Sequence, residues 1–188
     1  MNDLVQLYRR AVDQFGARVA AVGGDQWDQP TPCADWNVRE LVNHVVGENA
    51  WALPLFEGAT IAEVGDQLDG DLLGEDPVVA WKERAEPAVA AAGEEGALER
   101  IVHVSFGDIP GREYVSQVTT DHVIHAWDLA RGAGGDERLD PELVEFAYAY
   151  LEPQVEGWRA AGAFGPKLDL PEDSGLQDRL LALTGRQP

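Results

Sequence analysis

Cysteine occurs once in this chain, at position 33, so no disulfide can form within it, and the usage agrees with a reducing compartment. Lysine occurs only at Lys82 and Lys167. The 14 basic residues, otherwise arginine, face 34 acidic ones, for a formal charge of −20. A field of that sign repels phosphate backbones and anionic headgroups, which argues against nucleic acid and membrane surfaces as partners. No apolar run approaches the roughly 20 residues that span a bilayer. The first residues, MNDLVQLYRRAVDQF, are amphipathic and lack the basic-then-apolar layout of a secretory signal. A cytoplasmic location is therefore expected. Internal repeats and low-complexity tracts are also missing, and the preference for Arg, Ala and Gly points to a GC-rich coding sequence.

What is present is the material of a packed core: 45% hydrophobic and 8% aromatic residues in 188 positions, a size that favours one domain over residues 1–188. Leu4, Leu7, Ala11, Phe15, Val19 and Val22 recur at helical spacing and predict a first helix over 3–22, stopped by Gly23-Gly24. DQWDQPTPCADW reads as a loop. Asn37 followed by Glu40 makes a capping box for a second, largely apolar helix to about Phe56. Residues 57–76, rich in Gly and Asp, read as a long connection that could serve as a lid. Asp76-Pro77 opens a third helix that Pro87 should kink or end. A short extended piece, IVHVSF, precedes a turn at Gly107 and Pro110-Gly111. A helix over about Arg112–Arg131 follows, then one from Asp140-Pro141 to about Ala161, and a short one in GLQDRLLALTG. The expected fold class is all-α, a four-helix bundle with long crossover connections and one short extended segment, a scaffold that builds metal sites between facing helices.

Three of the four histidines fall at strongly apolar places inside predicted helices. His125 follows Asp121 by four residues, so both side chains leave one face a turn apart and can grip one cation, with His44 supplying a third ligand from another helix. Two imidazoles and a carboxylate suit Zn²⁺, Fe²⁺ or Ni²⁺ and leave a position open for water or a thiolate. The plainer reading is a helix-surface Asp/His hydrogen bond with His44 as a core histidine. His122 and Asp128 are rival ligands. Asp128 lies near the Asp121 face and His122 is turned roughly 100° from it, and Asp121 is preferred to both. Glu48, four residues after His44, could be a fourth ligand, a partner behind the ligands, a general base, or an ordinary helix carboxylate. Cys33 reads as a packed rather than a reactive thiol, since nothing near it in sequence lowers its pKa and Asp35 would raise it. His103, alternating with apolar neighbours, reads as structural or rim-facing. Trp36, Trp51 and Trp127 are placed to wall a pocket.

At these residues the chain resembles the mycothiol-dependent maleylpyruvate isomerase-like, DinB-like family of metal-binding bundles. TPCADWNVRELVNHVVGENAW is similar to its first ligand region, DHVIHAWDLARG to its second, VSFGDIPG to the turn between them, and DRLLALTGR to the ending of many actinobacterial members. The resemblance implies a metal, zinc in the isomerase, held by His44, Asp121 and His125. It also implies mycothiol or a similar low-molecular-weight thiol as cofactor, and isomerase or S-transferase chemistry on a small electrophile. Asp121 stands where the isomerase has Glu, and the chain is too short for the isomerase's C-terminal domain. A second class of function is a non-catalytic metal-dependent binding or stress-response module, which a fourth protein ligand such as Glu48 or His122 would favour. A homodimer is compatible with the sequence, which does not specify oligomeric state. Because imidazole binds metal only when neutral, metal affinity is expected to fall below about pH 6.5.

Overall fold

A computed structural model describes residues 3–188 and contains eight helices and one two-stranded hairpin among them. The long helices are α1 (Asp3–Val19), α2 (Val38–Phe56), α4 (Pro77–Ala92) and α5 (Gly111–Gly132), with the one-turn helix α3 (Ile61–Val64) between α2 and α4. Helix α1 lies against α5 and α4, and α2 lies against α4 and α5, which makes the four-helix bundle. The hairpin of β1 (Ile101–Val104) and β2 (Gly107–Pro110) joins α4 to α5. Helices α6 (Pro141–Leu151), α7 (Val155–Ala160) and α8 (Leu176–Leu183) follow, with α6 packed on α5 and α8 on α6. No helix among the described residues is long and apolar enough to cross a membrane.

Local chemistry sets these boundaries. The Asn37 side chain accepts from the Glu40 N–H while Glu40 returns a bond to the Asn37 N–H, so the second helix starts where the capping box places it. Asp76 and Asp140 cap α4 and α6, each followed by proline at the first helical position. Alpha-helical spacing puts Tyr8, Val12, Phe15 and Val19 of α1 on one buried face, in the same apolar core as Leu41, Val45 and Val46 of α2, Val118 and Ile124 of α5, and Leu180 and Leu181 of α8. Gly16 permits the close crossing of α1 and α4: a Cβ there would lie 2.3 Å from the Trp81 Nε1.

The structure departs from expectation at four places. The first helix ends at Val19, short of Val22. Of the two outcomes expected at Pro87, a kink or an end, the end does not occur, and α4 runs on to Ala92. The helix expected to reach Ala161 breaks after Leu151 and restarts at Val155, because Pro153 cannot donate to the helical ladder. The 57–76 connection is not a lid over His44, Asp121 and His125. It carries α3, capped by Thr60 and Glu63, and is pinned along α2 by Asn43, which donates to the Gly70 carbonyl and accepts from the Leu72 N–H.

Candidate metal centre

Asp121 and His125 project from one face of α5, and His44 from α2 meets them across the bundle. His125 Nε2 lies 3.3 Å from Asp121 Oδ1, and His44 Nε2 lies 3.5 Å from Asp121 Oδ2. The two imidazoles meet edge to face, with centroids 5.1 Å apart. One donor atom from each of the three residues falls within 4.8 Å of the others. Asp121 Oδ2 is buried and has no hydrogen-bond partner among the described residues. A carboxylate oxygen can only accept, so leaving one buried without a donor is costly unless a cation takes its place. Two imidazole nitrogens and one carboxylate are the donor set of a divalent transition metal, and the residues fit such an ion.

The electrostatics follow from this crowding. Burial opposes charge on Asp121, yet the His125 and His44 imidazoles hold its carboxyl well below the usual range. Burial likewise opposes charge on His125, but Asp121, Asp128 and Cys33 raise its pKa well above the ordinary value. The Glu48 pKa is raised, first by burial and then by the neighbouring Asp121 charge, which makes its carboxylate a stronger base than an exposed one.

Behind His125, the fully buried Asp128 places Oδ2 2.9 Å from the ring Nδ1. Since a carboxylate only accepts, Nδ1 carries the proton and donates, which leaves Nε2 facing Asp121. Asp128 also accepts from Arg186 Nε at 2.8 Å and from its terminal nitrogen at 2.8 Å. The Cys33 thiol sits 3.4 Å from Asp128 Oδ2 and 3.8 Å from His125 Nδ1. The loop that delivers it is closed by Thr31, whose hydroxyl donates to the Trp36 carbonyl, and by the Trp36 N–H, which donates to the Cys33 carbonyl.

A cavity of about 930 Å³ opens over the three residues. Trp36, Trp51, Tyr114 and Trp158 wall it, and the hairpin tip brings Phe106 edge-on to Trp158 at 6.0 Å. Ile61 is the one residue the 57–76 connection contributes to this lining. The cover comes instead from the hairpin tip, the 32–36 loop and the segments at 162–165 and 184–186.

The sequence profile of the mycothiol maleylpyruvate isomerase N-terminal domain matches residues 8–130. The chain belongs to this family. The match contains all three donor residues of the cluster, Glu48 and Asp128, and it ends before α6. Two family-length relatives are the uncharacterized proteins of Mycobacterium tuberculosis strains CDC 1551 / Oshkosh and ATCC 25618 / H37Rv, each 32% identical over 98% of both chains. No solved structure matches the chain.

Of the residues singled out from this family member's sequence, His44, Asp121 and His125 come together and Glu48 lines the same cavity without entering the cluster. His122 does not: it is fully buried and turned into the core, packed edge-on to Tyr8 and Phe15, with Nδ1 on the Val118 carbonyl. Asp128 lies behind the cluster, not in it, although it shares a second grouping with Cys33 and His125. His103 belongs to the hairpin, where it bonds Asp108 at 2.7 Å. Trp127 is core, with Arg131 over its ring, and does not wall the cavity. Sequence reasoning missed Trp158, Arg186 and the approach of Cys33 to His125. Only the i, i+3 spacing of His125 and Asp128 carried a local signal for this part of the site.

Proposed function

We propose that this chain is a divalent-metal-binding, thiol-dependent enzyme of the S-transferase or isomerase kind, with a low-molecular-weight thiol such as mycothiol as co-substrate and a small electrophile as substrate. The observation that carries the reading is the convergence of His44, Asp121 and His125 on the floor of a 930 Å³ cavity. Three protein donors beside open space are the arrangement of a catalytic rather than a closed structural site. Neither His122 nor Glu48 joins the three within 4.8 Å, which disfavours a non-catalytic closed site. Zn²⁺, or Ni²⁺ or Fe²⁺ on the same donors, supplies positive charge that lowers the pKa of a thiol and keeps it nucleophilic at neutral pH.

The chain's own residues do the rest. Glu48, with its carboxyl raised by burial and by Asp121, takes the thiol proton and can return it to the product. Asp128 holds the His125 ring by its Nδ1 proton, and Trp36 stacks on the His44 ring. Trp51, Phe106 and Trp158 exclude water and give an apolar electrophile a surface to pack on. Arg186 is the only cationic Arg or Lys side chain of the lining, and it is engaged by Asp128, so an uncharged electrophile fits better than a dicarboxylate. A cytoplasmic location goes with this thiol chemistry.

The test is metal analysis of tag-free protein followed by turnover with thiol and a panel of uncharged electrophiles. About one metal per chain is expected, with turnover that needs both metal and thiol. Protein that neither retains nor binds a divalent metal, and binds no thiol by calorimetry, would end the proposal.

A further inference from the structure

Arg186 lies beyond the residues 8–130 that the family profile matches, yet its guanidinium is nine-tenths buried beside the cluster. Its placement is built by the end of α8. Gly185 adopts φ +82°, a conformation that costs glycine little. The Gly185 N–H donates to the Ala182 carbonyl and the Arg186 N–H to the Leu181 carbonyl. A Cβ at Gly185 would come 2.8 Å from the Gly165 Cα, so the turn also packs against the 162–165 segment that covers the cavity. This turn sends the Arg186 side chain back toward α5. There Nε lies 2.8 Å and 3.1 Å from the two Asp128 oxygens, and one terminal nitrogen lies 2.8 Å from Oδ2 and 3.6 Å from the Cys33 thiol. The other terminal nitrogen donates to the Thr184 carbonyl at 3.2 Å.

The two-pronged contact fixes the plane of the Asp128 carboxylate, and that plane fixes the His125 ring through the 2.9 Å bond to Nδ1. We propose that Arg186 is a positioning residue for the metal centre: the glycine-turned end of α8 clamps Asp128, and Asp128 aims His125 Nε2 at the point shared with Asp121 and His44. This rests on the metal-centre reading above. The element that completes the centre therefore comes from the far end of the chain, after three helices outside the matched region. A buried ion pair of this kind, whose desolvation offsets much of its attraction, contributes little net stability against a well-packed apolar pair, so geometry is the better account of its presence.

The experiment compares wild type with Arg186→Met, Arg186→Lys, Asp128→Asn and the double variant Asp128→Asn/Arg186→Met. The probe is Co²⁺, read by chelator competition for affinity and by its visible absorption for ligand geometry. Helical content and thermal midpoint of the metal-free proteins are measured in parallel. Partners behind metal-bound histidines are worth about 10- to 100-fold in affinity. Arg186→Met is expected to lose that much and to change the Co²⁺ spectrum while remaining helical. Arg186→Lys, which keeps the charge but not the fork, should recover part of the loss. The double variant should bind Co²⁺ no more weakly than Asp128→Asn alone, because the arginine acts through the aspartate. If Arg186→Met proves too unstable, the Lys and double variants still decide the matter. Wild-type affinity and spectrum in the Arg186 variants, or additive losses in the double variant, would overturn the positioning role and leave the metal centre standing. Failure of wild-type protein to bind Co²⁺ would instead overturn the metal centre itself, and the positioning role with it.

Discussion

Trp36 lies over the His44 imidazole, with centroids 4.6 Å apart and planes 28° apart. The stack restricts rotation of the His44 ring and keeps Nε2 toward Asp121. Aromatic pairs of this kind are worth about 0.5–1.5 kcal/mol beyond area burial. Trp36→Leu should therefore weaken metal affinity by up to about tenfold, measured by chelator competition. Ni²⁺ or Co²⁺ should also quench tryptophan fluorescence less in the variant than in wild type. Unchanged affinity would mean that other contacts orient His44.

The ligand set gives a sharper contrast. His44→Ala or His125→Ala removes one of three donors, and each should lower metal affinity by more than the roughly 10- to 100-fold that losing a partner behind a ligand costs. His103→Ala should leave affinity unchanged, because that ring is bonded to Asp108 on the hairpin and lies outside the cluster. Calorimetric titration of the three variants checks this. Equal losses in all three would move the site.

The sequence made the bundle readable where local chemistry decides structure: caps at Asn37, Asp76 and Asp140, and apolar spacing in α1. The convergence of His44 with Asp121 and His125 was legible for a similar reason. Four-residue spacing aligns two donors, and the third sits on a helix that has to be buried. What stayed hidden depends on contacts distant in sequence. Cys33 and Arg186 are 153 positions apart, yet their side chains are 3.6 Å apart, and no periodicity encodes that. The break at Pro153 was locally readable but was outweighed by the apolar pattern on either side. The connection at 57–76 looked like a lid because composition reports where a chain is irregular and not what it lies over.

His125 also shifts the expected pH dependence of metal binding. Burial disfavours its charge, but Asp121, Asp128 and Cys33 hold its pKa well above the ordinary value, so in the metal-free protein this ring holds its second proton to higher pH than a free imidazole does. A metal held by His125 would have to displace that proton. Affinity should then fall about tenfold per unit of decreasing pH, starting above pH 6.5. Asp121, held well below its usual value, stays ionised across this range and adds no slope. Competition titrations between pH 5 and 8, with His125→Ala as reference, measure the slope. A flat wild-type profile would exclude histidine ligation.

His122 supplies a test of the core that is independent of the metal. Burial among Tyr8, Phe15 and Trp81 lowers its pKa to about 4, and its Nε2 has no partner among the described residues. In the unfolded chain a histidine titrates near 6.5. Between those values the unfolded state binds the proton and the folded state does not, so stability falls as pH drops from about 6.5 to about 4. The difference amounts to at most about 3 kcal/mol at the acid end. Aspartates with depressed pKa values act below this window and His125 acts above it, which leaves the window largely to His122 and to the raised carboxyl of Glu48. Glu48 is common to wild type and variant and cancels on comparison. Urea unfolding of metal-free wild type and His122→Leu at pH 7, 5.5 and 4 should show the variant gaining on wild type at each acid step. A stability difference that does not change with pH would mean that His122 takes up its proton alike in the folded and unfolded chain, against the burial of its ring among Tyr8, Phe15 and Trp81.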